Sequence, residues 1–196
     1  MIYGLTGGVG MGKSTVSSLA AKLGARIWDA DAETHRLYER DYDLLGFIDQ
    51  HWSACVTDDY RVDRKILADI VFEDKDALKL LTARVKERLE RNVQTFIENT
   101  SGLRILDVPL LFEGGFDRFC DETIVVHCSP ELQRDRVLAR GWSEQRLEKV
   151  CSLQWTNEQR FARAQHCIDT SIPMSDIVEM LGAIFAHADT HSCPAD

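Results

Sequence analysis

The chain has 196 residues, 44% of them hydrophobic, and a formal net charge of -9. That length suits one domain with embedded subdomains, and the hydrophobic share is enough for a sizeable core. The acidic balance argues against a general nucleic-acid or anionic-membrane binder, no apolar run approaches the length that spans a bilayer, and six scattered cysteines without a C-x-x-C pair read as free thiols of a reducing cytosol.

Residues 2–6, IYGLT, read as a short strand, so this N-terminal segment is not expected to be a cleaved signal. Four glycines then fall within residues 7–12, followed by Lys13, Ser14 and Thr15. Gly7, Gly12, Lys13 and Ser14 fit G-x-x-x-x-G-K-[ST]. Glycine permits the backbone angles and the close approach that a nest of inward N–H groups needs, and the following helix adds its own free N–H groups and dipole. Lys13 can reach the β- and γ-phosphates of a nucleotide, and the Ser14 hydroxyl can hold Mg²⁺. ATP contacts are therefore expected at Gly8, Gly10, Met11, Gly12, Lys13, Ser14 and Thr15. The alternative is a glycine-rich turn with no ligand. Against it stands helical spacing at Val16, Leu19, Ala20 and Leu23, with Gly24 as a stop.

Residues 26–29 form a second expected strand, ending in the acidic triplet Asp29-Ala30-Asp31. Residues 33–100 read as mostly helical, with Leu78, Leu81, Val85, Leu89, Val93 and Phe96 predicting one long helix over about 75–99. Strand character returns at 104–108 and 123–127. Ser129-Pro130-Glu131 starts a helix to about Arg140, Ser143 caps the next, 166–169 is a last strand and 176–186 a last helix, before a polar, frayed tail over 187–196.

Strands separated by helices imply a parallel sheet with helices on both faces and ligands at the carboxyl ends of the strands. Asp29, Asp31 and Asp107 stand at those ends, and the helical insert follows Asp31 directly, a suitable place for a second substrate. Asp31 is either the base that receives an acceptor hydroxyl's proton or a helix cap. Asp107 either orients the Mg²⁺ shell or is a buried acid paired with a neighbour. His35, four residues after Asp31, is either structural or shares its face. Arg134, Arg136, Arg140, Arg146, Arg160 and Arg163 form an arginine-rich stretch that suits a lid clamping phosphate, although Glu/Arg pairs on a solvated helix would account for most of them.

The residues G-L-T-G-G-V-G-M-G-K-S-T, W-D-A-D and D-V-P-L-L-F-E (Asp107 to Glu113) resemble dephospho-CoA kinases. The triplet and the PLLFE stretch are more specific than the phosphate loop. The resemblance continues through V-D-R-K-I-L (Val62 to Leu67), L-Q-R-D-R-V-L-A-R and A-R-A-Q-H-C-I-D (Ala162 to Asp169), up to about residue 186. It implies a P-loop NTPase three-layer α/β fold with a parallel sheet, a helical substrate-binding insert and a helical lid. The expected boundaries are a core of 1–32, 101–138 and 165–186, an insert over 33–100, and a lid over 139–164. It implies phosphorylation of the ribose 3′-hydroxyl of dephospho-CoA by ATP with Mg²⁺, the last step of coenzyme A synthesis. Asp31, Lys13 and Arg140 carry the catalytic roles, and Thr6, Asp31, His35 and Arg64 those of acceptor binding. A cytoplasmic monomer or weak homo-oligomer is expected, with no nucleic-acid or membrane partner.

The chain departs from the family pattern in three places. Lys86-Glu87 replaces a usual His-Pro pair, Asp58-Asp59-Tyr60 replaces an Asp-Gly turn, and Asp169-Thr170 replaces Asp-Asn. Three other readings compete. Another small-acceptor P-loop kinase, for a nucleoside monophosphate, shikimate or gluconate, lacks an explanation for the triplet and PLLFE. A GTPase switch should carry N-K-x-D, which is absent. A degenerate relative would bind nucleotide without turnover.

Overall fold

The computed structural model describes residues 1–57 and 59–190, with side chains described as far as Ala186. Asp58 of the altered turn and the tail from His191, including Cys193, lie outside the described residues. The chain divides into two compact units, Met1–Trp28 with the chain from Asn99 onward, and Asp29–Glu98.

The first unit is built on a five-stranded sheet of order β2-β3-β1-β4-β5. Its strands are β1 (Ile2–Thr6), β2 (Arg26–Asp29), β3 (Arg104–Asp107), β4 (Glu122–His127) and β5 (His166–Asp169). The β1–β3, β1–β4 and β4–β5 ladders are parallel, with Leu5 opposite Asp107 and Ile124, and His127 opposite Asp169. Parallel strands buried on both faces read as continuous apolar runs, and all five residues of β1 are buried. Tyr3 and Leu5 of β1 join one core with Val16 and Ala20 of α1 (Lys13–Lys22) and Ile177, Leu181 and Phe185 of the last helix. Gly4 points to the other face, where a Cβ would stand 2.7 Å from Leu111 and 2.8 Å from the Cys120 sulfur, so a larger residue would have to displace those side chains. The sheet is flanked by helices, as expected for a three-layer α/β fold.

The second unit contains α2 (Ala30–Arg40), α3 (Tyr42–Trp52), α4 (Arg64–Glu73) and α5 (Lys75–Asn99, whose last residue belongs to the first unit). Four aspartates set these helix starts. Asp29, Asp41, Asp63 and Asp74 each accept a backbone N–H two or three residues on, which supplies partners for donors the helix itself leaves free. Arg88 of α5 bonds Asp41 at 2.7 and 2.9 Å and Asp43 at 2.9 Å, and so fixes α5 to the start of α3.

Several boundaries differ from the sequence expectation. The helical region opens at Ala30 rather than after residue 32, because Asp29 is extended and its carboxylate caps the turn. Between α6 (Pro130–Ala139) with α7 (Glu144–Ser152) and strand β5, the chain adds a short α8 (Asn157–Phe161), started by a reciprocal Thr156–Gln159 capping box. The last helix, α9, runs Met174–Thr190, so residues 187–190 are helical rather than frayed. Ala186 to Thr190 contains no glycine or proline to stop it.

Candidate active site

The loop between β1 and α1 is shaped by its glycines. Gly10 and Gly12 have φ of 77° and 87°, a region that favours glycine. Gly7 lies so close to β4 that a Cβ would meet the Val126 carbonyl oxygen at 2.8 Å. Met11 N donates to Gly8 O at 3.2 Å, closing the turn, and Gly12 O then accepts the first helical bonds from Thr15 N and Val16 N.

Three side chains from distant parts of the chain hold this loop. Gln133 Nε2 donates to Val9 O at 2.7 Å, and Val9 N donates to Gln154 Oε1 at 3.4 Å. Thr170 Oγ1 donates to Met11 O at 2.9 Å. That hydroxyl is itself fixed by Arg136, which donates to Thr170 Oγ1 and to Thr170 O, both at 2.8 Å. Sequence reading missed Gln133, Gln154 and Thr170 as loop contacts, because none carries a charge or a motif of its own.

Lys13, at the first position of α1, forms an ion pair with Asp107 at the end of β3. The Lys13 side chain is 18% exposed and the Asp107 side chain 4%. Asp107 is thus a buried acid paired with the loop lysine. Ser14 and Thr15 are exposed, and the Ser14 hydroxyl has no partner among the described residues. Thr6 is fully buried, its hydroxyl donating to Pro109 O at 3.0 Å.

The six arginines divide sharply. Arg134 pairs with Glu144, Arg136 holds Thr170, Arg146 lies over the Trp142 ring at 3.9 Å, Arg160 pairs with Glu113 and Arg163 with Asp117. Arg140, the C-terminal cap of α6, is exposed and has no side-chain hydrogen bond, ion pair or ring contact among the described residues. Arg136 is instead committed to Thr170 inside the first unit.

In the second unit, Asp31 sits exposed in the first turn of α2. Its backbone N–H, with that of Ala32, donates to Asp29 Oδ1 at 2.8 and 3.0 Å. Asp29 is thus the cap, and the Asp31 carboxylate has no partner among the described residues. His35, one turn further on, lies 3.2 Å from Arg64 Nη1. The Arg64 guanidinium also stands 5.1 Å from the centre of the Tyr38 ring. Burial pushes the Tyr38 hydroxyl above its ordinary value, with Arg64 opposing. These residues, with Glu39, Arg40, Arg61 and Val62, line a cavity of about 450 Å³. Arg64 and His35 were both expected as acceptor contacts. Arg61 and Arg40 were not, since single arginines on helical or turn segments carry no signal.

The departures from the family pattern are accommodated locally. Lys86 pairs with Glu90 at 3.7 Å, and Glu87 with Arg84 and Arg91, as surface ion pairs along α5. Tyr60 has φ 57°, the angle that a glycine at the family's turn would adopt freely. Thr170 carries the Met11 bond. No helix among the described residues is long and apolar enough to cross a membrane.

Residues 1–176 match the family model of dephospho-CoA kinase. The dephospho-CoA kinase of Jannaschia sp. (strain CCS1) is 42% identical over 169 residues, covering 85% of this chain and 87% of that protein. That of Bradyrhizobium diazoefficiens is 37% identical, covering 94% of each. Among solved structures, protein TT1252 from Thermus thermophilus superimposes with a TM-score of 0.82 at 30% identity, over 95% of this chain and 97% of that one. A shikimate kinase from Acinetobacter baumannii reaches 0.54 at 16% identity over 98% and 95%, a likeness of fold alone.

Proposed function

Since this chain belongs to the dephospho-CoA kinase family, we propose that it transfers the terminal phosphoryl group of ATP to the ribose 3′-hydroxyl of dephospho-CoA, completing coenzyme A. It is a kinase, and its two substrates are ATP and dephospho-CoA. The observation that carries the reading is the loop of residues 7–15 at the carboxyl edge of a parallel sheet, with Lys13 set against Asp107. We take it to work in the cytoplasm, as a monomer or weak homo-oligomer.

Phosphoryl transfer asks the protein mainly for positioning and charge neutralisation. The triphosphate lies along the loop, on the N–H groups of Gly8, Gly10 and Gly12 and the first turn of α1, with Met11 shaping the turn between them. Lys13 exchanges its bond to Asp107 for the β- and γ-phosphates. Arg140, uncommitted at the end of α6 and near the start of the lid segment 139–164, reaches the moving phosphoryl group. In the second unit, Arg64 and His35 bind the acceptor. Asp31 accepts the 3′-hydroxyl proton as the new P–O bond forms and the bond to the β-phosphate oxygen breaks, releasing ADP.

The donor set fits Mg²⁺. The cation prefers oxygen ligands and keeps several waters, so an open hydroxyl beside phosphate oxygens suffices. The free Ser14 hydroxyl offers one, with Asp107 near enough to Lys13 to orient a water. Bound there, Mg²⁺ would neutralise charge on the β- and γ-phosphates.

The direct test is ATP consumption with and without dephospho-CoA, with fragmentation of the product to locate the new phosphate. Turnover dependent on dephospho-CoA and a 3′-phosphate are expected. Turnover of shikimate or gluconate instead, or ATP hydrolysis indifferent to acceptor, would overturn the reading.

A further inference from the structure

Arg160, on α8, is the largest of the fully buried side chains among the described residues, with 2% of its side chain exposed. Its Nη2 lies 3.3 Å from Glu113 Oε1, an oxygen that also accepts from Trp155 N at 2.9 Å. Arg160 Nε and Glu113 Oε2 are both buried without a hydrogen-bond partner. The other end of the guanidinium faces the phosphate loop, for a Cβ built on Gly8 would stand 3.4 Å from Nη1.

Taking a guanidinium and a carboxylate out of water is expensive, and a single long contact with a bond missing at each end returns only part of it. A fold that merely needed filling at this point would be served better by an apolar side chain. A buried positive charge, in contrast, acts over a longer range than an exposed one because neither water nor salt screens it fully. Behind a loop whose N–H groups turn towards a polyanion, it adds to the same field.

We propose that Arg160 is a positioning residue of the phosphate loop: its buried charge, held by Glu113 and facing Gly8, draws the ATP triphosphate onto the loop without touching it. Glu113 is the counter-charge that keeps the guanidinium in place when no nucleotide is bound. The proposal rests on the assignment of Gly8 and its neighbours to ATP binding.

The sign of each charge gives the test. ATP affinity and steady-state kinetics are measured for Arg160→Gln, Arg160→Lys, Glu113→Gln and the double variant Arg160→Gln/Glu113→Gln, with Lys13→Ala as reference and thermal unfolding of each. Arg160→Gln should weaken ATP binding about tenfold and change kcat less than threefold. Arg160→Lys, which keeps the charge, should stay within threefold of the parent affinity. Glu113→Gln removes a negative charge from the same pocket and should tighten ATP binding about threefold. The double variant, two neutral carboxamides of similar shape, should fold yet remain about threefold weak, the tenfold loss at Arg160 offset in part by the gain at Glu113. Parent affinity in the double variant would mean that Arg160 serves only to satisfy Glu113, and the proposal falls. It falls equally if Glu113→Gln binds ATP no tighter than the parent, a measurement that stands even if Arg160→Gln does not fold. Full turnover in Lys13→Ala would instead remove the phosphate-loop reading, so the two failures are distinguishable.

Discussion

Replacing Asp31 by Asn and Asp29 by Ala should separate chemistry from folding within one acidic triplet. The Asp31 carboxylate bonds nothing among the described residues, so Asp31→Asn removes only a negative charge in the first turn of α2. That contributes about 0.3–1 kcal/mol to the helix, and the melting temperature should move by no more than about 4 °C. Its effect on the reaction should be far larger, because Asn keeps the shape but cannot take a proton. A general base typically contributes a factor of about 10² to 10⁴, equivalent to about 2.7–5.4 kcal/mol of barrier, and kcat should fall by that amount with little change in ATP affinity. Asp29→Ala does the opposite. It strips both cap bonds, at 2.8 and 3.0 Å, and should cost about 1 kcal/mol, or about 2–4 °C in a chain of this size. Asp29→Asn, which still caps, should recover most of that. The assay is steady-state turnover of dephospho-CoA with ATP and Mg²⁺, alongside thermal unfolding. If Asp31→Asn retains turnover within a few-fold of the parent while Asp29→Asn is inactive at full stability, the base is Asp29 and the role of Asp31 is lost.

Lys13→Ala should reduce transfer to background while the chain remains folded by circular dichroism, since it removes the ammonium proposed to hold the β- and γ-phosphates; substantial turnover would refute its role. Arg140→Ala should lower kcat more than it raises KM for ATP, because a lid arginine acts when closed; an effect on KM alone would assign it to ground-state binding. Burial, with Asp117 and Asp121 adding to it, pushes the Cys120 thiol up to about 12 from an ordinary 9.0. The folded state therefore favours the neutral thiol. This contribution is complete below pH 9 and is lost as pH rises from 9 towards 12, by up to about 1.4 kcal/mol per pH unit. Urea unfolding from pH 8 to 10.5 should show a shallower alkaline decline for Cys120→Ala than for the parent, and identical slopes would contradict the assignment.

What the sequence revealed of this fold was local. The phosphate loop is legible because its requirements are contiguous: glycines where φ is positive at 10 and 12, a lysine and a hydroxyl next to them, an apolar strand before and a periodic helix after. The long helix is legible from its spacing, and α6 from Ser129 and Pro130. What stayed hidden depends on distant pairs. Lys13 and Asp107 are separated by 94 positions, Gln133 and Val9 by 124, and Thr170 and Met11 by 159. No spacing rule connects such residues, so Asp107 remained ambiguous and Gln133 invisible. The arginine-rich stretch could not be divided residue by residue for the same reason. Charge alone suggested a mobile clamp, whereas packing had already committed Arg136 and Arg160 to the body of the first unit and left Arg140 uncommitted.

The three side chains that grip the phosphate loop, Gln133 and Gln154 on Val9 and Thr170 on Met11, have a consequence for the heat of nucleotide binding. A glycine-rich loop that had to be ordered by its ligand would lose conformational freedom on binding and show a large unfavourable entropy. Here that ordering is already complete in the folded chain, so calorimetry of ATP binding should record the new contacts with only a modest entropic penalty. The same grip makes the loop's shape a property of the whole first unit. Thr170→Val, which keeps the volume but severs both the Met11 and the Arg136 bonds to the hydroxyl, would loosen one side of the loop and shift the penalty back onto each binding event.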